Sequence, residues 1–301
     1  MGSRPRSRQP YKTIRDWRAL TSATRLLLLA LPVFLSEATV WLWAEEPTDS
    51  GDRSCFSTVI LSVPSRPTVS NGTDTTQCGV VELEYGWERQ WVGAGVRQSD
   101  LSGGLRLGLT HDFDFHWGSA DFVSLADGNT VHRGFGDTWL GLKYRFSDQT
   151  KYIPSFGLFY QVKTPSPSAQ DGLGTGQIDH SWSLLASKDI RRLHFDFNVT
   201  PLLAGRQGSP GFDQNTGFAL SASVPLTKPI SLVVEGYGYT ALNSANPAWA
   251  STMAGFTYQV NPRLVLDAGL DVGVTSNAPR TRVYLGVSYA MANLYSMVRR
   301  R

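Results

Sequence analysis

The 301-residue sequence has only two cysteines and five histidines, and beyond residue 43 it has no long apolar run. Each scarcity removes a class of protein. A hydrophobic share of 41% with a mean hydropathy of −0.19 leaves no material for a stack of membrane helices. Cys55 and Cys78 have no clustered His or Cys neighbours, so no metal centre is expected. The formal charge of +3 overstates the body of the chain, because much of the positive excess sits in the first 25 residues and in Arg299-Arg300-Arg301. No basic stripe remains to grip phosphates, and nucleic acid is not an expected partner. The run Gly172-Leu173-Gly174-Thr175-Gly176 precedes a strand pattern and no helix, so it fails as a nucleotide loop. No cofactor is implied.

The N-terminus does carry a signal. Arg4, Arg6, Arg8, Lys12, Arg15, Arg18 and Arg25 precede the apolar run Leu26 to Trp43, and Ser36-Glu37-Ala38 within it and Ala44 after it offer cleavage points. This is the layout of a secretory signal peptide over residues 1–44. An uncleaved anchor helix is the alternative, weakened by Pro32 and Glu37. In an exported chain the pair Cys55 and Cys78 suggests a disulfide closing a loop, against two unpaired thiols. Residues 45–78 are rich in Ser, Thr, Pro and Gly. They read as an irregular lead segment that either hangs in the periplasm or folds into the following domain as a plug.

From residue 79 to 291 the sequence alternates. Leu193-His194-Phe195-Asp196-Phe197-Asn198-Val199-Thr200 places Leu193, Phe195, Phe197 and Val199 on one face of a strand and the polar residues on the other. About twelve segments repeat this pattern. Short links, such as Thr110-His111-Asp112 and Asn261-Pro262-Arg263, alternate with longer ones expected at Arg89–Ser102, Ser119–Gly134 and Thr164–Gly176. Tyr85, Trp87, Trp117, Tyr144, Phe146, Tyr160, Tyr258 and Tyr289 stand near segment ends on the apolar face, where an aromatic girdle would meet the membrane–water interface. The reading is all-β: a transmembrane up-and-down antiparallel β-barrel of about twelve strands, in contact with outer-membrane lipid. Its rival is a secreted sandwich or lipocalin-like barrel with the faces reversed.

If lipid touches the apolar face, the polar face lines the lumen. The candidate lining residues are Glu82, Glu84, Arg106, Asp114, His116, Lys143, Arg145, His194, Asp196, Glu235, Asp267, Asp271 and Arg282, with Glu88, Asp112, Asp137, Lys163 and Asp179 nearby. Both signs occur, so cross-strand pairs such as Arg106 with Glu82 or Glu84 are expected. Such a wall is either a salt-bridged support or a selectivity constriction. Acidic residues predominate, which favours cations. A barrel of this size is narrow, so slow conduction or a lateral route fits better than bulk flow.

The segments Val80-Val81-Glu82-Leu83-Glu84-Tyr85-Gly86, Leu105-Arg106-Leu107-Gly108-Leu109-Thr110-His111-Asp112-Phe113-Asp114-Phe115 and Asp137-Thr138-Trp139-Leu140-Gly141-Leu142-Lys143-Tyr144 give the chain a resemblance to a known family. It resembles bacterial outer-membrane β-barrels labelled as meta-pathway phenol-degradation or transporter proteins. The resemblance implies the outer membrane of a Gram-negative bacterium and passage of small solutes, hydrophobic aromatics among them. Tyr284 to Met291 resembles the closing strand that the barrel-assembly machinery reads, although a basic tail, 292–301, follows it. Two other function classes stand beside the channel. One is a lipase- or acyltransferase-type barrel using His194 with Ser181 or Ser183, and the other is a structural envelope barrel.

Overall fold

The computed structural model describes residues 54–93, 95–165 and 172–299. The signal-peptide reading of residues 1–44 lies outside the described residues. Thirteen strands occur among the described residues. They are β1 (Val80–Gly93), β2 (Val96–Gly108), β3 (Phe113–Asp127), β4 (Thr130–Gly134), β5 (Thr138–Ser147), β6 (Ser155–Thr164), β7 (Asp179–Ile190), β8 (Leu193–Gly205), β9 (Phe212–Pro225), β10 (Ile230–Tyr239), β11 (Trp249–Asn261), β12 (Leu264–Gly273) and β13 (Thr281–Asn293). A single helical turn, α1 (Leu294–Arg299), follows β13.

Apart from β4 and β5, which both pair with β3, each strand pairs antiparallel with its chain neighbours, and β1 pairs with β13, which closes the sheet. β4 lies along the upper part of β3, and β5 lies along its lower part. The chain passes from β4 to β5 through residues 135–137, where Gly136 N–H bonds to Ala120 C=O. β4 and β5 therefore act as one interrupted stave, and the barrel has twelve. Closure satisfies every stave on both sides, which lipid demands because it offers no hydrogen bonds.

The apolar face points outward. Phe197 is 44% exposed and its ladder partner Leu220 53%, whereas Asn198 and Ser221 on the opposite face are buried. Leu142, Tyr144, Leu184, Phe218, Phe256, Leu266 and Leu285 are likewise exposed. The reversed, soluble arrangement would bury these side chains together. The outer wall is instead a contiguous apolar belt, with Trp87, Trp117, Tyr144, Tyr258 and Tyr289 exposed on it.

Two of the expected long loops are strand. β1 and β2 occupy most of the predicted Arg89–Ser102 loop, β1 ending at Gly93 and β2 beginning at Val96. β3 and β4 occupy most of the predicted Ser119–Gly134 loop. The alternation is obscured there for two reasons. The pairing of β2 with β3 shifts between Leu101 and Ser102, leaving Asp121 as an extra residue that reverses the parity of β3. Beyond the belt, both faces also meet water, so neither must be apolar. The final strand runs to Asn293, two residues past the expected end.

Candidate transport lumen

The inner face carries charge that is almost wholly shielded from water. Glu82 and Asp114 are 0% exposed, Lys143 and Asp271 1%, and Arg106 4%. Buried charges require partners, and the partners come from two sources: the same or neighbouring strands of the wall and the described lead segment, residues 54–78.

Arg106 on β2 is the hub of one wall. Its Nη2 lies 3.2 Å from Glu82 Oε2 and 3.0 Å from Glu84 Oε1. It also donates to Ser65 Oγ and to Val63 C=O of the lead segment. Glu82 in turn accepts the N–H of Val63 and the hydroxyl of Ser62, and Glu84 accepts the N–H of Ser65. Further round the wall, Glu235 accepts the N–H groups of Val69 and Ser70 at 2.8 and 2.6 Å. Asn198 Oδ1 accepts Asn71 N–H, Ser187 Oγ accepts Thr73 N–H, and Asp114 accepts Thr76 N–H. Lys143 Nζ donates to the carbonyls of Asp74 and Gly72. The lead segment makes few ladder bonds of its own, so wall side chains complete its backbone.

Arg66 reaches furthest from the turn end. It pairs with Asp267 at 3.2 Å, and its guanidinium passes over Gly86 and Gly286. A Cβ at either glycine would push the guanidinium aside, so the bare backbone lets Arg66 lie in this position. At the mouth of the neck, Cys55 and Cys78 form a disulfide with Cα atoms 4.7 Å apart. Asn293 at the end of β13 donates to the Cys55, Ser57 and Cys78 carbonyls.

The remaining candidates fall into smaller groups. His116 bonds to Asp114 at 2.8 Å and rests on the Phe159 ring. Arg282 spans Asp271 at 3.2 Å and Glu88 at 3.5 Å, and Tyr237 Oη donates to Asp271. Arg145 and His194 sit at the turn end. Arg145 faces Asp112, Asp74 and Asp148, and His194 lies between Asp189 and Asp196. Of these, Arg145, Asp74, Asp148, His194 and Asp189 line a cavity of about 220 Å³ together with Thr73, Gln149, Ser155 and Ser187. A second cavity, of about 120 Å³, lies among Arg66, Glu84, Arg106, His116 and Trp139. Both are smaller than the roughly 300–1,000 Å³ of sites that hold drug-sized ligands.

The alternation did not single out the inward aromatics. Tyr237, Tyr239 and Trp249 cluster at the loop end of β10 and β11, with ring centroids 5.7 and 4.9 Å from Trp249. Val233, Met253 and Tyr284 form a buried apolar group just below them. Across the lumen Trp139 lies over Gly118. The parity of β10, with Ser231 and Glu235 facing in, was the available sequence signal for Tyr237 and Tyr239.

Ser181 and Ser183 do not meet His194. Ser181 pairs with Leu202, and Ser183 accepts a hydrogen bond from Thr200, whereas His194 pairs with Asp189. Six residues of strand separate Thr200 from His194, roughly 20 Å.

The fold is shared with an outer-membrane channel from Pseudomonas putida F1, at 12% identity and a TM-score of 0.56, over 75% of this chain and 100% of that one. It is shared also with the NanC porin, at 10% identity and a TM-score of 0.50, over 70% of this chain and 100% of that one. No curated protein matches the sequence. A family model described as "Putative MetA-pathway of phenol degradation" matches residues 65–291, which takes in both the barrel and the deeper part of the lead segment. This bacterial outer-membrane β-barrel therefore belongs to that phenol-degradation family.

Proposed function

We propose that the chain is a passive outer-membrane channel for small solutes, with hydrophobic aromatics as the favoured class and residues 54–78 as its plug. One observation carries this reading: the lumen is divided along its length. The turn-end half is filled by the lead segment, whose backbone is held by wall carboxylates. The loop-end half is lined by Tyr237, Tyr239, Trp249 and Trp139. Aromatic rings with polar edges suit a small phenolic molecule, since they stack on its face and bond to its hydroxyl. Solute would collect there and pass when the lead segment shifts. In-facing acidic residues outnumber basic ones, so the open state should prefer cations.

Planar-bilayer recording of the refolded protein tests the proposal, with phenol as the added aromatic. Rare cation-selective openings that phenol blocks from the loop side support it. A folded barrel that stays silent, or that favours anions, argues for the structural reading. The lipase-type alternative has the separation of Ser183 from His194 against it, and a serine-reactive probe that labels Ser181 or Ser183 would restore it.

A further inference from the structure

Near the loop end of the barrel, Lys163, Arg206 and Arg282 each meet a carboxylate. Three arginines on the outer wall there make no ion pair among the described residues: Arg89 of β1, Arg97 of β2 and Arg133 of β4. Their placement follows from register. Glu82 and Glu84 face the lumen, so the odd positions of β1 face out, as the exposure of Trp87 and Trp91 shows. Unbroken pairing from Trp87↔Leu101 to Trp91↔Arg97 carries that face onto β2. Ser99↔Ser124 and Arg97↔Ala126 carry it to β3, and Ser124↔Arg133 and Ala126↔Val131 carry it to β4.

Arg89, Ser99, Ser124 and Arg133 thus form one outward row, and Trp91, Arg97, Ala126 and Val131 form the next. The row beneath is Trp87, Leu101 and Phe122, all exposed and continuous with the apolar belt. The basic rows begin two residues further out, about 5 Å along tilted strands. Arg89 and Arg133 stand three strand spacings apart, about 14 Å. No carboxylate shares these rows. Glu88 and Asp100 point to the other face, where Arg282 and Gln98 engage them. The Arg89 guanidinium lies 5.6 Å from the Trp91 ring centroid, and its Nε is buried with no partner.

We propose that Arg89, Arg97 and Arg133 bind the phosphorylated headgroup of an outer-leaflet glycolipid whose acyl chains lie on the Trp87–Leu101–Phe122 surface. Three features favour this occupant. The two basic rows hold no carboxylate, and the nearest one on this face, Asp121, lies on the barrel side of Phe122 and is taken up by Tyr85 and Ser119. It lies at headgroup height, directly above lipid-facing side chains. Guanidinium groups present paired donors that match phosphate oxygens. The 14 Å span suits a headgroup with more than one phosphate.

The test titrates refolded full-length protein in detergent with bisphosphorylated lipid A and follows bound lipid by native mass spectrometry. The triple variant Arg89→Gln, Arg97→Gln, Arg133→Gln should bind roughly tenfold more weakly or worse. The corresponding triple Lys variant, which keeps the charge but not the paired donors, should bind between the wild type and the Gln variant. Arg191→Gln with Arg192→Gln, in the turn at the other end, should leave it unchanged. Equal binding by a folded Gln variant overturns the proposal. So does wild-type protein that holds dephosphorylated lipid A as tightly, a measurement that needs no variant to fold. Displacement of the lipid by equimolar inorganic phosphate would make the patch a free-anion site and overturn it as well.

Discussion

Arg106→Met offers the sharpest perturbation of the plugged state. Arg106 is 4% exposed and joins two wall carboxylates to two lead-segment groups, Ser65 Oγ and the Val63 carbonyl. Methionine fills much of the volume but leaves Glu82 and Glu84 facing one another without a cation. Breaking a buried pair by removing one partner costs about 3–5 kcal/mol. Both carboxylates also hold the lead segment through Val63 and Ser65 N–H, so the destabilisation falls mainly on the plugged state. If 3 kcal/mol of it does so, the ratio of open to plugged lumen rises about 160-fold. Single-channel recording reads this directly: the variant should open on the order of a hundred times more often at unchanged unit conductance. A correctly folded variant, confirmed by heat-modifiable gel mobility, with wild-type open probability would refute the reasoning. It would mean that residues 62–66 do not gate the lumen.

Two further outcomes follow from the geometry. Cys55→Ser with Cys78→Ser removes a link with a sequence separation of 23, worth roughly 3–4 kcal/mol of chain entropy; protease added on the turn side of reconstituted vesicles should then cut within residues 56–77 far faster than in the wild type, and equal resistance counts against a tethered plug. Leu184→Arg places a cation on an outward position of β7 that is 56% exposed; urea titration of the lipid-embedded barrel should show a loss of about 2–4 kcal/mol if the site is near the bilayer midplane, and no loss would contradict the lipid-facing assignment.

The alternation made the barrel legible because the period of two is set by the backbone, and lipid favours apolar side chains along the belt of the outer face. Leu193 to Thr200 announces both faces of β8 in eight residues. Parity likewise set Glu82, Arg106, Asp114, Glu235 and Asp271 on the face opposite the apolar one, and all five are buried. It did not reveal what they touch. Glu235 holds Ser70, and Asp267 holds Arg66, partners 165 and 201 residues away in sequence. The lead segment has no period because its backbone is completed by side chains of the wall, and such bonding leaves no repeating mark. The extension of β1 to β4 was missed for a different reason. The Asp121 bulge shifts the parity of β3 midway, and beyond the belt Gln90, Gln98 and Ser99 meet water on whichever face they lie.

The sulfur–sulfur bond at the neck fixes how mechanical load travels. Tension applied to the chain ahead of Cys55 crosses directly to Cys78 and into β1, so residues 56–77 form a slack bight that bears none of it. Tugging from the periplasm would strain the seam between the first and last staves before it drew Arg66 off Asp267. On the proposed plug reading, release would begin from within the lumen, by loosening one side-chain clasp after another.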